Sequence, residues 1–324
     1  LRCRDCRHRG QTGDLSMPLD SEYLQYPHRR YGMDHDRYDW SMLSDRNPVS
    51  WPNNNRLALW VNVCLQFFPL DQKGKPFPVP GGMTMPYPDL RHFTLRDYGN
   101  RVGIYRFLQA FDKYKVKPTF ALNTRLAENN PYLLHSIMER GDEINCHGLH
   151  MDALHYGGQD INEESELIKR SLGRLRDLTG RDIRGWLSPA RNESANTPDL
   201  LAANGIDYFS DWCNDDMPYQ FRTDKGLLWA MPLSNELEDR FILMENLHSE
   251  EAYVEQICDA CDFLLQESET QGGRILALNL HPWMLGQPHR IKKLEQVLEY
   301  VTSQEGVWSA SAGDILSSFC GQQP

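Results

Sequence analysis

Residues 183–212 read IRGWLSPARNESANTPDLLAANGIDYFSDW and hold two apolar segments separated by a helical one. The apolar segments, IRGWLS and IDYFSDW, each have the length of one β-strand. Between them, residues 197–205 predict a short helix with Thr197 as its N-cap and Pro198 in its first turn. A helix between two strands is typical of a parallel pair joined by a crossover, so this stretch predicts an α/β fold.

The same alternation continues on both sides of this stretch. Further apolar segments with the length of strands lie at 56–68, 117–123, 142–147, 227–233, 274–283 and 307–311. Segments with helical spacing of apolar residues lie at 99–114, 131–141, 163–178, 249–268, 290–301 and 312–319. The alternation predicts a closed or nearly closed barrel of about seven parallel strands with helices outside it. A long loop, rich in Pro and Gly, is predicted over residues 73–88.

Composition limits the partners that suit this chain. A formal net charge of −11 argues against nucleic acid or an anionic membrane as the main partner. No apolar run approaches the roughly 18 residues that a membrane span needs. With 324 residues and 40% hydrophobic content, the chain is large enough for one barrel with a sizeable core. We therefore expect a small-molecule substrate.

The eight cysteines are scattered along the chain and form no disulfide framework. Cys64, Cys146 and Cys213 fall in apolar, strand-like stretches, so we expect reduced thiols and a cytoplasmic protein. Residues 1–26 predict a disordered leader, and residues 27–320 predict a single barrel domain. The Cys-x-x-Cys of the leader has no second pair nearby, which disfavours a structural zinc site there.

In a parallel barrel, the carboxyl ends of the strands face one mouth, where polar side chains converge. His147 ends the strand at 142–147, and Asp211 and His281 end two later strands. These three residues are the predicted catalytic groups. Further candidates beside these strand ends, predicted to bind substrate, are Arg191, Asn214, Asp215, Trp186 and Trp283.

Four stretches carry a resemblance to a known family: RLALWVNV, GDEINCHG, residues 185–219, and LNLHPWMLGQPHRI with the later LEYVTSQEGVW. From about residue 27 to 320, the chain resembles the polysaccharide deacetylase (NodB-homology) superfamily. Within it, the chain is most similar to the branch that holds the metal-independent bacterial allantoinase. The resemblance implies a distorted (β/α) barrel and hydrolysis of a non-peptide C–N bond. It also implies an N-acetylated sugar, ureide or cyclic amide as substrate, and a homo-oligomer.

The chain departs from the metal-dependent members of this superfamily at two places. Those members carry an Asp-Asp pair after the first strand and two histidines four residues apart. This chain has VCLQ at 63–66, and Met151 stands four residues after His147. A catalytic zinc needs about three convergent protein ligands. We therefore predict that the enzyme uses no metal cofactor.

The alternative is a zinc site built from the histidine-rich segment 143–156. His147, His150 and Asp152 are its candidate ligands, and His155 is a further one, provided that the backbone turns helically after His147. Structural roles for His150 and His155, such as hydrogen bonds to loop carbonyls, are the competing interpretation.

Hydrolysis without a metal needs a base for water, a donor for the leaving nitrogen and a group that stabilises the oxyanion. His147 and His281 are the acid and base candidates, since imidazole titrates near neutral pH. Arg191 is a candidate to hold a carboxylate or oxyanion. Either Asp211 or the run Asn214, Asp215 and Asp216 is predicted to orient a histidine or to bind polar parts of the substrate. The indoles of Trp186 and Trp283 can stack on a sugar or a flat ring.

Two other functions compete with this hypothesis. The first is a catalytically inactive barrel that binds a sugar or metabolite, because a carboxylate is missing after the first strand. The second is a nucleophilic Cys64 paired with His147 or His281. A buried strand cysteine is usually unreactive, which disfavours the second.

Overall fold

The computed structural model describes residues 35–73 and 90–323. The leader predicted over residues 1–26, with Cys3 and Cys6, lies outside the described residues. The same holds for all but the first residue of the loop predicted over 73–88.

The chain divides into two compact units, Leu1–Trp40 and Ser41–Pro324. Of the first unit, residues 35–40 are described, and there the rings of His35 and Tyr38 lie 4.7 Å apart. The second unit contains every helix and strand of the described chain.

The described chain forms one sheet of nine strands. They are β1 (Leu57–Leu65), β2 (Pro118–Leu122), β3 (Glu143–Cys146), β4 (Gly185–Trp186), β5 (Tyr208–Phe209), β6 (Tyr219–Thr223), β7 (Gly226–Ala230), β8 (Arg274–Leu280) and β9 (Val307–Ser309). Their order is β6-β7-β5-β4-β3-β2-β1-β8, and β9 pairs with β1. All pairs are parallel except β6–β7. The sheet curls into a half-barrel, which confirms the predicted distorted α/β barrel of mainly parallel strands.

Helices connect the parallel strands, as the alternation predicted. They are α1 (Leu90–Tyr98), α2 (Ile104–Tyr114), α3 (Thr124–Asn129), α4 (Pro131–Glu139), α5 (Ile161–Thr179), α6 (Thr197–Ala203), α7 (Glu250–Gln271), α8 (Pro282–Leu285), α9 (Ile291–Ser303) and α10 (Ala312–Cys320). Helix α5 begins after Asp160, whose carboxylate accepts hydrogen bonds from the N–H groups of Asn162 and Glu163. Among the described helices, none combines the length and apolar content that a membrane crossing requires.

Strand β1 lies next to β8, the last strand in the sheet order, and all nine of its residues are buried. It pairs with β2 on one side, with β8 on the other, and with β9 near its start. In the β1–β8 register, Asn62 lies opposite Asn279 and Val63 lies opposite Leu280. Because the two strands run in parallel, Cys64 and His281 follow these pairs at the same end of the sheet.

A close approach of backbone segments fixes α1 against α8. The π-helical turn Gly99–Gly103 joins α1 to α2. A Cβ atom at Gly103 would lie 2.1 Å from the carbonyl oxygen of Pro282, and one at Gly99 would lie 2.5 Å from the backbone nitrogen of Trp283. Only glycine permits this contact, which sets α1 directly beside the segment after His281.

Three details differ from the predicted elements. The strands predicted at 183–188 and 206–212 shorten to the two-residue strands β4 and β5. The antiparallel strand β6 was not predicted, because its half-exposed residues lack the apolar content of the other strands. Cys213, predicted within a strand, lies exposed in the loop after β5.

Candidate active site

A cavity of about 450 Å³ opens at the carboxyl ends of the strands. Five of the eight predicted site residues line it: His147, Arg191, Asp211, His281 and Trp283. Residues from β1, α1, β8 and the segment after β7 complete the wall. The convergence of strand ends that the sequence predicted therefore holds in the structure.

His147 follows β3 and is buried with 2% of its surface exposed. Its Nδ1 lies 2.8 Å from the carbonyl oxygen of Leu187, so Nδ1–H donates and Nε2 is the basic nitrogen. The side-chain amide nitrogen of Gln66 lies 3.4 Å from Nε2. Burial, followed by the positive charges of His281 and Arg191, lowers the pKa of His147 to about 4 despite the Leu187 hydrogen bond. At neutral pH, His147 is a neutral imidazole.

His281 follows β8 and has the opposite electrostatic surroundings. Its Nδ1 lies 2.7 Å from Oδ1 of Asp239, and its backbone N–H donates to Oδ2 of the same carboxylate at 2.7 Å. Burial opposes a charge on His281, but Asp239 and then Cys64 outweigh it and raise the pKa of His281 to about 10. At neutral pH, His281 is an imidazolium bound to a fully buried carboxylate.

Glu238 ties two arginines of the cavity wall together. Its Oε2 accepts hydrogen bonds from Asn279 at 3.1 Å and from Arg191 at 3.3 Å, and its Oε1 accepts from Arg240 at 3.0 Å. Arg191 also donates to the carbonyl oxygen of Leu233 at 2.9 Å and to Asn235. The guanidinium of Arg191 is thus bound by Glu238 and by the segment that contains Leu233 and Asn235.

Asp211 lines the cavity beside the loop that follows β4. Its Oδ1 accepts a hydrogen bond of 2.7 Å from the backbone N–H of Ser188. Burial raises the pKa of Asp211, although its contacts with Glu193 and Ser188 oppose the rise. Because Ser188 follows Leu187, Asp211 positions the loop whose carbonyl group fixes the tautomer of His147.

Cys64 also reaches the cavity, with 3% of its surface exposed. Its thiol donates to Oδ1 of Asn279 at 3.2 Å, and the same oxygen accepts from Asn62 at 2.7 Å. The thiol proton is therefore directed at an amide oxygen. Cys64 also interacts with His281, whose pKa it raises, so the sulfur lies between the amide of Asn279 and the second histidine of the cavity.

Three predicted substrate-binding residues lie away from this cavity. Trp186 is fully buried in the core, where its Nε1–H donates to Ser188 Oγ at 2.8 Å. Asn214 accepts a hydrogen bond from the hydroxyl of Tyr219 at 2.8 Å, and Asp215 pairs with Arg46 at 2.6 Å. The indole and the two loop side chains thus serve the packing of the fold.

The alternative zinc ligands do not converge. His150 Nδ1 accepts from the backbone N–H of Asp152, and the carboxylate of Asp152 accepts from the N–H of Lys73 at 2.6 Å. His155 is fully buried 3.3 Å from Glu164, which also accepts from Ser194 and Thr197. Within 35–73 and 90–323, no three His, Cys, Asp or Glu side chains are placed to share an ion. The donor set of the described chain therefore does not fit a catalytic zinc.

Several residues of the site were not predicted. They are Arg96, Asn235, Glu238, Asp239, Arg240 and Asn279. Asn62 and Asn279 gave a usable signal, because each is a polar residue inside an otherwise apolar strand. Glu238, Asp239 and Arg240 form a charged run that resembles a solvated turn, and only the fold places it behind His281.

Comparison with known proteins is consistent with this geometry. Residues 95–209 match the family model for polysaccharide deacetylase. A Schizosaccharomyces pombe protein named as a polysaccharide deacetylase is 27% identical over 310 residues, which cover 86% of this chain and 94% of that one. A Pseudomonas aeruginosa structure described as a polysaccharide deacetylase is 25% identical with a TM-score of 0.78, covering 86% of this chain and 96% of that one. Puue allantoinase, 24% identical with a TM-score of 0.78, shares the fold over 89% of this chain and 99% of its own.

Proposed function

This chain belongs to the polysaccharide deacetylase superfamily, and on that premise we propose that it hydrolyses a C–N bond in a small substrate without a catalytic metal. The bond is an amide or ureide bond other than a peptide bond. The substrate fits inside a cavity of about 450 Å³, a volume suited to one small molecule or one sugar unit.

The observation that carries this proposal is a pair of histidines at one cavity, His147 bonded to a backbone carbonyl group and His281 bonded to the buried carboxylate of Asp239. The pKa of His147 falls to about 4 and that of His281 rises to about 10. Between these values, His147 is a base and His281 is an acid. Titratable groups whose surroundings push their pKa values apart indicate an acid and base assignment.

The assigned reaction begins with water held near His147. Nε2 of His147 accepts a proton from water as the oxygen attacks the carbonyl carbon of the substrate. Nε2–H of His281 then donates its proton to the leaving nitrogen, and the C–N bond breaks. The acid product keeps the second proton of water, and the amine product carries the proton from His281. His147 is then protonated and His281 is neutral, and both regain their starting protonation states by proton exchange with solvent. Asp239 stabilises the imidazolium before the transfer.

A substrate panel with and without chelator tests this proposal. We expect turnover of at least one ureide, cyclic amide or N-acetylated sugar, with an unchanged rate after treatment with EDTA. Elemental analysis of the active protein is expected to find no stoichiometric zinc. Loss of activity on chelation, restored by zinc, would contradict the metal-free mechanism. Tight binding of a panel member without turnover would support the inactive sugar-binding alternative.

The pH dependence of kcat/KM tests the acid and base assignment. His147 acts only when neutral, so activity is expected to rise as pH increases through about 4. His281 acts only when protonated, so activity is expected to fall as pH increases through about 10. A broad plateau between these limits is the expected profile. A single narrow optimum with both limbs within about one unit of pH 7 would exclude these two groups.

A further inference from the structure

Arg96, on α1, lines the cavity although only 4% of its surface is exposed. Its Nε and Nη1 atoms are buried and have no hydrogen-bond partner within residues 35–73 and 90–323. A buried charged group without a partner is strongly unfavourable in a folded protein. The structure therefore contains an unsatisfied cation at the site of the proposed chemistry.

Aromatic rings hold this guanidinium in place. Its central carbon, Cζ, lies 3.6 Å from the ring centroid of Trp283 and 5.2 Å from that of Phe68. Stacking uses the faces of a guanidinium, whereas its five N–H donors lie in its plane. Trp283 in turn packs against His281, with ring centroids 5.7 Å apart. Arg96 is thus separated from the proposed general acid by one indole ring.

The carboxylates of the cavity do not neutralise Arg96. Glu238 is bound to Arg191 and Arg240, and Asp239 is bound to His281. Burial, followed by the charge of Arg240, lowers the pKa of Arg96 to about 9. This direction shows a guanidinium that lacks a counter-charge, and a bound anion would reverse it.

We propose that Arg96 binds a carboxylate of the substrate, so that the substrate class is small amides or ureides that carry a carboxylate. This inference rests on the proposed hydrolase function, since it places the scissile bond near His147 and His281. The planar fork of a guanidinium matches a carboxylate with two parallel hydrogen bonds. Arg191, which the sequence suggested for this role, is already engaged by Glu238, Asn235 and the carbonyl group of Leu233.

Calorimetric titration with probes that lack the scissile bond tests the carboxylate site directly. Levulinate and 5-oxohexanoate carry a ketone and a carboxylate, and the diketones in which an acetyl group replaces the carboxylate are neutral controls of similar shape. We expect the full chain to bind at least one acid at least about tenfold more tightly than its neutral diketone, as a charge-assisted pair requires. Arg96→Gln is expected to abolish this preference, and Arg96→Lys to reduce it.

Arg91→Gln is the matched control, because Arg91 lies exposed on the same helix. It is expected to keep the full preference for the acid. Equal binding of acid and neutral diketone by the unmodified chain would overturn the proposal, as would an unchanged preference in Arg96→Gln. If Arg96→Gln does not fold, as judged by circular dichroism, an unreduced preference in Arg96→Lys overturns it instead. Since the probes have no C–N bond to cleave, the result does not depend on turnover. A chain that binds the acids but hydrolyses nothing would refute the hydrolase alone.

Discussion

Replacement of His281 with alanine is expected to lower kcat at least about a hundredfold while the substrate still binds. Protonation of the leaving nitrogen is the step that this imidazolium supplies, and water supplies it poorly near neutral pH. A hundredfold loss corresponds to about 2.7 kcal/mol of stabilisation made in the transition state. Steady-state kinetics with the best substrate of the panel measures it, with KM expected to change little.

The variant removes the partner of a buried carboxylate, so folding needs its own control. His281→Ala leaves Asp239 without its ion pair, and such a loss can destabilise a protein. His281→Gln retains a side-chain N–H donor near Asp239 but cannot act as an acid, and it is expected to lose as much activity. His289→Ala, at an exposed histidine eight residues later, is expected to keep full activity. A folded His281→Gln variant with the kcat of the unmodified chain would remove the central assignment of the mechanism.

His147→Ala is expected to lower kcat by a similar factor, at least about a hundredfold, because it removes the base that activates water. The loss should be confined to the chemical step, since His147 contacts Leu187 and Gln66 rather than Arg96. The acidic limb near pH 4 is expected to disappear from the residual activity, because no other group of that role replaces the imidazole. Rate measurements from pH 3.5 to 8 detect that change.

Two comparisons make the His147 result decisive. His135→Ala removes an exposed histidine of α4 and is expected to leave the rate unchanged. Cys64→Ala tests the nucleophile alternative at the same cavity, and we expect kcat to stay within about tenfold. Full loss of activity in Cys64→Ala, together with an active His147→Ala, would assign the chemistry to the thiol instead.

The fold followed from sequence because its strands are buried, apolar and separated by amphipathic helices. The positions of His147, Asp211 and His281 at the cavity followed from the same argument, since carboxyl ends of parallel strands meet at one edge. That argument predicts which end of a strand lies at the cavity, but it does not predict the direction in which each side chain points. Trp186 stands inside the two-residue strand β4 and packs into the core, although the sequence alone suggested the cavity.

Ion pairs between residues that are distant in the sequence could not be predicted from the sequence. Asp239 pairs with His281, which is 42 residues later in the sequence. No periodic pattern in the segment between β7 and α7 predicts that contact. Arg96 was not predicted as a site residue for a different reason. The predicted helix begins at residue 99, whereas Leu90–Tyr98 is already helical in the described chain and the helix continues through the π-helical turn Gly99–Gly103. Two glycines in five residues lower helix propensity, so the sequence of this segment predicts a helix boundary. In the structure, the same glycines allow the close packing against Pro282 and Trp283.

The pairing of β1 with β8 has a consequence for how the protein folds. Asn62 and Asn279 share a hydrogen bond although 217 residues separate them. During synthesis, β1 leaves the ribosome long before β8 exists, and one edge of this largely apolar strand stays uncovered until then. Closing so long a loop makes folding slow, because entropy is lost before the contact forms. The nascent chain is therefore exposed to aggregation until β8 has emerged, and the cavity acquires His281 only at that stage.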